Sequence, residues 1–340
     1  MSSAAPSTLT ADEITRDATW LAQALDPSSG TVRLVAMNRD SYRAASFLDD
    51  RLMQQAVNAQ IVPWPEVEAA LAGDVRSDAR WIFHIGHVGS TLVSRLLGEI
   101  DGVLGLREPR LLRDLAMSPP DVRERYIRVA PKLMSRTFAT GEVACVKATS
   151  FASEIAPALV PAGERALFMY ARPRNYVASI LAGENSLKEL YALAEHRRRR
   201  LEARGIVFPQ AHNDAERAAI AWACEMTSLE TAAEAMSDRI IAWADFDTML
   251  DDMSSELGRI ADFFGFRADA ARLQAIAGGP LMQRYSKALE YEYSPALRGE
   301  LIAQEIRFHG RGIDEALAML HGNSEKSLLL ARALERTRED

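Results

Sequence analysis

Residues 81–97 have the sequence WIFHIGHVGSTLVSRLL, which divides into three parts. An apolar run over 81–85 predicts a buried strand, and Leu and Val at helical spacing after Ser90 predict a helix. Between them lies a turn with two glycines, Gly86 and Gly89, which let the backbone bend sharply and approach an anion closely. A strand, a glycine turn and a helix that begins with Ser90 and Thr91 form the layout of a phosphate cradle, because backbone amides and the positive helix end face the charge.

This turn is not a Walker A motif, which requires Gly-Lys-[Ser/Thr] and a further glycine upstream. Ser90 follows Gly89 directly, and His84 occupies the position of the upstream glycine. The turn has no lysine to reach a γ-phosphate, so ATP or GTP hydrolysis is not the first expectation. The alternative is an ordinary strand–turn–helix whose glycines serve only the turn.

Composition limits the class of protein. The chain has 340 residues, of which 48% are hydrophobic and 26% charged, which is typical of a globular protein with a sizeable core. Its net charge of −7 argues against nucleic acid or an anionic membrane as a partner. Cys145 and Cys224 provide no disulfide framework or metal-binding spacing, and the N-terminus does not have the pattern of a signal peptide. We therefore expect a cytoplasmic protein without a membrane span.

The chain is expected to form one structural unit with three parts: an N-terminal extension over 1–75, an α/β domain over 76–294, and C-terminal helices over 295–340 that pack peripherally. Within the extension, a capping box of Thr10 and Glu13 predicts a helix over 10–26, and alternation predicts a strand over 31–37. A further helix is expected after Trp64, and residues 46–51 carry no recognisable motif.

Strands and helices alternate in the α/β domain. Besides 81–85, strands are expected over 103–106, 143–146, 166–170 and 239–243, and a helix over 120–138 is expected to break near Pro131. Alternation of this kind predicts an α/β fold with a central, mostly parallel sheet and helices on both faces.

Polar residues follow the ends of four of these strands. The carboxyl ends of parallel strands line one crevice, so the topology would bring these distant segments together. A set of His, Glu, Lys, Arg and hydroxyl side chains at one sheet edge is typical of an active site. The four groups are 87–91, Glu108, 147–150 and 172–174.

Taken together, these residues resemble the sulfotransferase family, which binds 3′-phosphoadenosine-5′-phosphosulfate (PAPS) in a three-layer fold like that of P-loop NTPases. Residues 86–91 are similar to its Pro-[Lys/Arg]-Ser-Gly-Thr-Thr loop, and Glu108 in 107–110 is similar to the segment that supplies the base in the tyrosylprotein branch. Within the family, the chain most resembles the bacterial branch that is like the tyrosylprotein sulfotransferases. Residues 172–174 with Ser179 resemble the Arg-x-Pro-Arg segment that binds the 3′-phosphate. Residues 243–246 and 263–266 resemble a fourth signature.

The resemblance implies an enzyme that transfers a sulfuryl group from PAPS to a hydroxyl or amine on a small-molecule or peptide acceptor, without a metal. Glu108 would be the base, and His87 and Lys147 would assist at the sulfuryl group. The remaining site residues would bind the donor. They are Gly86, His87, Val88, Gly89, Ser90 and Thr91 for the 5′-phosphate and Arg172, Arg174 and Ser179 for the 3′-phosphate.

Two positions depart from the family pattern. His87 replaces the basic residue of the loop, and Ala171 stands where the family has its 3′-phosphate arginine. These departures leave open a non-catalytic member that binds nucleotide or a partner. A second alternative is a nucleotide-dependent phosphotransferase on the same P-loop scaffold.

Other polar segments are expected to be structural. The basic run 196–200 is expected to form a solvated helix face, and Asp245 is expected to cap a helix. The polar segment 284–287, before Tyr291 and Tyr293, could close over the 3′ end of the nucleotide or form a surface loop.

Overall fold

The computed structural model describes residues 9–284 and 294–338. Its strands form a three-stranded antiparallel sheet and a five-stranded parallel sheet. The first sheet contains β1 (Trp20–Asp26), β2 (Thr31–Ala36) and β3 (Ala59–Pro63). The second contains β4 (Arg80–His84), β5 (Val103–Arg107), β6 (Val143–Lys147), β7 (Arg165–Tyr170) and β8 (Ile240–Asp245).

The helices before β7 are α1 (Ala11–Thr15), α2 (Arg39–Ala44), α3 (Trp64–Ala70), α4 (Ser90–Leu97), α5 (Arg110–Met117), α6 (Pro120–Ile127), α7 (Ala130–Met134) and α8 (Ala156–Leu159). Those after β7 are α9 (Pro173–Leu181), α10 (Glu184–Ala192), α11 (Ala194–Ala203), α12 (Asp214–Ala235), α13 (Phe246–Met249), α14 (Met253–Phe264), α15 (Ala270–Ala277), α16 (Pro295–Ser324) and α17 (Leu328–Glu335). Short 3₁₀ helices cover Asp50–Gln54, Ser150–Ile155 and Pro280–Gln283.

The parallel sheet has the order β5-β6-β4-β7-β8. From β4 the chain first builds β5 and β6 on one side and then crosses to β7 and β8 on the other, so β4 lies at the point where the strand order reverses. In open α/β sheets such a switch point opens a crevice at the carboxyl ends of the strands. All four strand pairings are parallel. The predicted α/β fold with a central parallel sheet is thus confirmed.

Helices cover this sheet on both faces. Helices α4 and α14 pack against the sheet and against each other, while α12 contacts β4 and joins α9 and α16 in a separate helical layer. Because both faces are covered, strands β4 to β7 consist mainly of buried apolar residues, whereas the edge strand β8 has a single buried residue, Ala244. That is why the five predicted strands match the observed ones to within two residues at their ends. The helix predicted over 120–138 is broken as expected and forms α6 and α7.

The helix predicted over 10–26 is wrong beyond its first turn. The capping box of Thr10 and Glu13 is present, but α1 ends at Thr15 and β1 begins at Trp20. Strand β1 pairs antiparallel with β2, and β1 also packs against α5. Strand β2 lies where the strand over 31–37 was predicted. Long-range pairing and packing, which local periodicity cannot show, decide this segment.

The C-terminal helices differ from the peripheral packing that was expected. Helix α16 packs against α9 and α12, and its first residues reach the crevice at the strand ends. Of the segment 284–287, only Arg284 lies within the described residues, and Tyr291 and Tyr293 lie outside them. Among the helices that the structure describes, none has both the length and the apolar character needed to span a bilayer.

Candidate active site

The cradle has the backbone conformation that its glycines permit. Gly86, His87 and Gly89 all have positive φ angles, of 81°, 54° and 62°. Gly89 is the N-cap of α4, and no side chain caps this helix. The amides of the first helical turn have no partner within the helix. They are therefore available to an anion at the end of β4.

Gly89 is required for a second reason. The ring of Phe246, from the first turn of α13, lies so close to Gly89 that an added Cβ would overlap it. Gly86, in contrast, would bring a Cβ no nearer than 3.9 Å to Ser150. The Phe246 ring thus approaches the backbone most closely at Gly89, the residue that precedes helix α4.

Thr91 carries a buried hydroxyl group that has no hydrogen-bond partner. The residue is 2% exposed and lines the cleft, and its Oγ1 makes no hydrogen bond within the described chain. A buried hydroxyl left in this state costs about 1–3 kcal/mol. An oxyanion at the cradle would satisfy it, so the residues present fit a phosphate or sulfate group.

The cradle opens into a cleft of about 660 Å³ at the carboxyl ends of the parallel strands. The cleft brings together most of the predicted site residues, although they are distant in sequence. Those that line it are Gly86, His87, Val88, Gly89, Ser90, Thr91, Glu108, Lys147 and Ser179.

Glu108 and Lys147 form an ion pair on the floor of this cleft. The ammonium group of Lys147 donates to Oε1 of Glu108, and the Lys147 side chain is 1% exposed. The backbone amide of Glu108 donates to the Lys147 carbonyl at 2.8 Å, and Glu108 has a positive φ of 51°. Its Oε2 makes no hydrogen bond to the part of the chain that the structure describes.

His84, which sequence reasoning did not select, lies beside this pair. Its Nδ1 accepts the Gly86 amide at 2.9 Å, so the ring proton is on Nε2 and is donated to the Ala148 carbonyl at 3.0 Å. The same Nε2 lies 3.9 Å from Oε1 of Glu108. His84 therefore links the cradle to the floor of the cleft. Its position as the last residue of β4 is the signal that could have identified it.

His87 is held by helices on the opposite side of the cleft. Its Nδ1 lies 3.4 Å from the Ser186 hydroxyl, and its Nε2 lies 3.9 Å from Oε2 of Glu189. The ring also packs edge-on against Tyr176. Contacts with α9 and α10 therefore hold the His87 ring at the cleft.

Arg172 and Arg174 are the predicted site residues that do not line the cleft. Nε of Arg172 donates to Asp245 at 3.1 Å, and Arg174 pairs with Asp314 on α16. Asp245 also caps α13 as predicted, and burial raises the pKa of its carboxyl group. Among the described residues, both arginines are thus paired with carboxylates.

Segment 47–51 of the N-terminal extension supplies a cleft wall that the sequence did not reveal. The amide of Leu48 donates to the Arg107 carbonyl at 2.7 Å, and the amide of Arg110 donates to the Leu48 carbonyl at 3.4 Å. The segment therefore pairs with the backbone on both sides of Glu108. Three of its side chains line the cleft, namely Phe47, Asp49 and Arg51.

The basic run 196–200 is only partly the solvated face that was expected. Arg198 and Arg199 are exposed, but Arg197 and Arg200 are buried on the other side of α11. Both contact Glu225 on α12, at 3.4 and 3.0 Å. The helical period places Arg197 and Arg200, three residues apart, on the buried face and the two arginines between them on the exposed face.

No protein-family model matches the chain, and no curated protein matches it significantly. Among solved structures, it is similar to the sulfotransferase domain from the curacin biosynthetic pathway, with 12% identity and a TM-score of 0.41, over 65% of this chain and 86% of that one. It is also similar to the sulfotransferase domain of the Synechococcus PCC 7002 olefin synthase, with 14% identity and a TM-score of 0.39, over 66% of this chain and 86% of that one. A third similar structure is a mouse sulfotransferase in complex with PAP, with 11% identity and a TM-score of 0.36, over 78% of this chain and 91% of that one.

These three solved structures are all sulfotransferases or sulfotransferase domains. Because fold does not by itself determine function, the chemistry of the chain depends on the side chains of its own cleft.

Proposed function

We propose that the chain is a sulfotransferase that transfers a sulfuryl group from PAPS to a hydroxyl or amine acceptor. The observation that carries this proposal is the position of two features in one cleft. An uncapped cradle with the unsatisfied Thr91 hydroxyl opens beside the Glu108–Lys147 ion pair. An anion site next to a carboxylate provides the groups that an in-line transfer to a hydroxyl needs.

The donor would be held by the residues of the cradle, 86–91, through amides and hydroxyls, and Ser179 lies in the same cleft. When bound, PAPS supplies an activated sulfuryl group whose leaving group is a phosphate. Contact of Arg172 or Arg174 with the 3′-phosphate would require each to exchange a carboxylate partner for the ligand. Ser179 needs no such exchange.

Glu108 is proposed as the general base. Lys147 fixes Oε1, and Oε2 stays available to accept the proton that the acceptor hydroxyl loses as its oxygen bonds to sulfur. Positioned general bases typically raise a rate by about 10²–10⁴. His87, which lies beside Glu189, would donate a hydrogen bond to the bridging oxygen or to the sulfuryl group, where negative charge develops during the transfer.

A second candidate is a protein of this fold that binds nucleotide without transferring a group. The carboxylate partners of Arg172 and Arg174 favour it, because the arginines proposed for the 3′-phosphate are already paired. The lack of a Walker lysine argues against the third alternative, a phosphotransferase.

Thermal unfolding with adenosine 3′,5′-bisphosphate (PAP), with ATP and Mg²⁺, and with buffer alone separates these functions. A ligand at about 100 times its Kd should add about 2.7 kcal/mol to the free energy of unfolding. The proposal predicts stabilisation by PAP and turnover of PAPS on an acceptor panel. Stabilisation by ATP–Mg²⁺ alone contradicts it, and stabilisation by PAP without turnover on any acceptor favours the non-catalytic candidate.

A further inference from the structure

The cleft has a wall beyond Glu108 that the proposed reaction does not use. We define the acceptor wall as the five side chains that line the cleft from segment 47–51 and from the first turn of α5: Phe47, Asp49, Arg51, Arg110 and Arg113. Three of the five are arginines, and one is a carboxylate. This composition favours an anionic ligand.

The acceptor wall adjoins the proposed base through a short series of contacts. The centroid of the Phe47 ring lies 3.3 Å from the Arg51 guanidinium carbon and 5.7 Å from Nζ of Lys147. Lys147 in turn binds Glu108. A molecule whose hydroxyl reaches Glu108 would therefore extend toward Phe47 and Arg51, and Arg113 lines the same cleft.

Carboxylates within the protein neutralise two of the three arginines. Arg51 donates to both oxygens of Asp49. Burial alone would raise the pKa of Asp49, but the hydrogen bonds and the charge of Arg51 have the larger combined effect, so the pKa lies below its usual value. Arg110 pairs with Asp50 and Asp114.

Arg113 differs from the other two arginines. It is exposed and lines the cleft, and its charge acts on Asp49 and Asp114, but within residues 9–284 and 294–338 it forms no hydrogen bond and no close ion pair. A guanidinium group binds a carboxylate with two parallel hydrogen bonds, and such charge-assisted bonds are among the stronger ones in proteins. Its position on the cleft makes Arg113 the residue best placed to bind an anionic substituent.

We infer that the acceptor carries a carboxylate in addition to the hydroxyl or amine that is sulfated, and that Arg113 binds this carboxylate. The inference rests on the proposed function, which defines the acceptor. The binding of a carboxylate at the acceptor wall can nevertheless be measured without any turnover.

Calorimetric titration with 4-hydroxyphenylacetate and with its neutral amide tests the inference, because the two probes differ in charge but hardly in shape. Both are titrated into the protein alone and into the PAP-loaded protein. We expect the acid to bind about tenfold more tightly than the amide, the value of one charge-assisted hydrogen bond. Equal affinities, or no binding of either probe at about 1 mM, overturn the inference.

Arg113→Gln and Arg311→Gln form a matched pair of variants. Arg311 is a highly exposed arginine of α16 that does not line the cleft. We expect Arg113→Gln to reduce the preference for the acid to less than about threefold while leaving the Kd of PAP unchanged, and Arg311→Gln to retain it. A preference that survives in Arg113→Gln overturns the assignment to Arg113.

Failure of the proposed function gives a different pattern of results. If PAP does not bind, the assignment of the donor site is wrong. The difference in affinity between the acid and the amide, measured in the PAP-free protein, still decides whether the acceptor wall binds a carboxylate. If PAP binds and the acid shows no preference, the donor site stands and the inference about the acceptor is wrong.

Discussion

The ammonium group of Lys147 donates to Oε1 of Glu108 where two neighbouring strands, β5 and β6, end side by side. The Glu108 amide is bonded to the Lys147 carbonyl, so backbone and side chains hold the same two residues together. The proposed base thus has its position fixed by the sheet. Its second carboxylate oxygen makes no hydrogen bond within the described residues, so in the proposed reaction it would accept the proton of the acceptor.

Two different substitutions of Glu108 should have unequal effects on the stability of the protein. Glu108→Ala removes the carboxylate next to a buried ammonium group and should lower the free energy of unfolding by about 3–5 kcal/mol. Glu108→Gln retains an oxygen that can accept the bond, so it should cost less while abolishing PAPS turnover. Urea unfolding and a PAPS turnover assay measure the two effects.

The double variant Glu108→Ala/Lys147→Met serves as the control. It removes the buried charge together with its partner, so it should be more stable than Glu108→Ala alone. Additive losses would show that the pair does not act as a unit. Turnover by Glu108→Gln equal to that of the wild type would remove Glu108 from the role of base.

Gly89→Ala should destabilise the protein more than an alanine at an open position of similar backbone conformation. Gly89 has a φ of 62° and its Cβ would overlap Phe246, whereas Gly163 has a φ of 78° and nothing within 4 Å. We expect about 2–5 kcal/mol for Gly89→Ala, from backbone strain plus overpacking, and about 1–2 kcal/mol for Gly163→Ala. Equal losses in urea unfolding would contradict the close approach of Phe246.

Much of the fold can be predicted from local sequence, because strands covered on both faces appear as continuous apolar runs. The cradle is equally local, since its glycines, Ser90 and Thr91 adjoin one another in the chain. The group of strand-end residues was predictable from the parallel topology, which places Glu108 and Lys147 in the same crevice.

Features set by distant contacts could not be predicted in this way. Strand β1 has a sequence that fits helix or strand, and its pairing with β2 decides the outcome. Segment 47–51 lines the cleft only because Leu48 pairs with the backbone around Glu108. Arg172 and Arg174 follow a strand as predicted, but their carboxylate partners Asp245 and Asp314 come from segments far along the chain.

The two faces of α11 should respond differently to the loss of a carboxylate. Glu225 is 1% exposed and binds Arg197 and Arg200, so Glu225→Ala should destabilise the protein by about 3–5 kcal/mol. Glu195 binds Arg198 and Arg199 on the exposed face, and Glu195→Ala should leave the urea midpoint nearly unchanged. A small effect of Glu225→Ala would mean that the buried arginines do not depend on it.

Thr91→Val should have opposite effects on stability and on ligand affinity. The substitution keeps the shape of the side chain and removes a buried hydroxyl with no partner, so the ligand-free protein should be as stable as the wild type or about 1 kcal/mol more stable. Ser94→Ala is a matched control, because the Ser94 hydroxyl is also buried and without a partner but lies one turn further along α4 and does not line the cleft.

Calorimetric titration of PAP into the wild type, Thr91→Val and Ser94→Ala tests the central claim most directly. If the cradle binds a phosphate of the donor, the wild type and Ser94→Ala should bind PAP equally well, and Thr91→Val should bind it about tenfold more weakly. Failure of the wild type to bind PAP, or an unchanged affinity in Thr91→Val, would contradict the assignment of this cleft as a PAPS site.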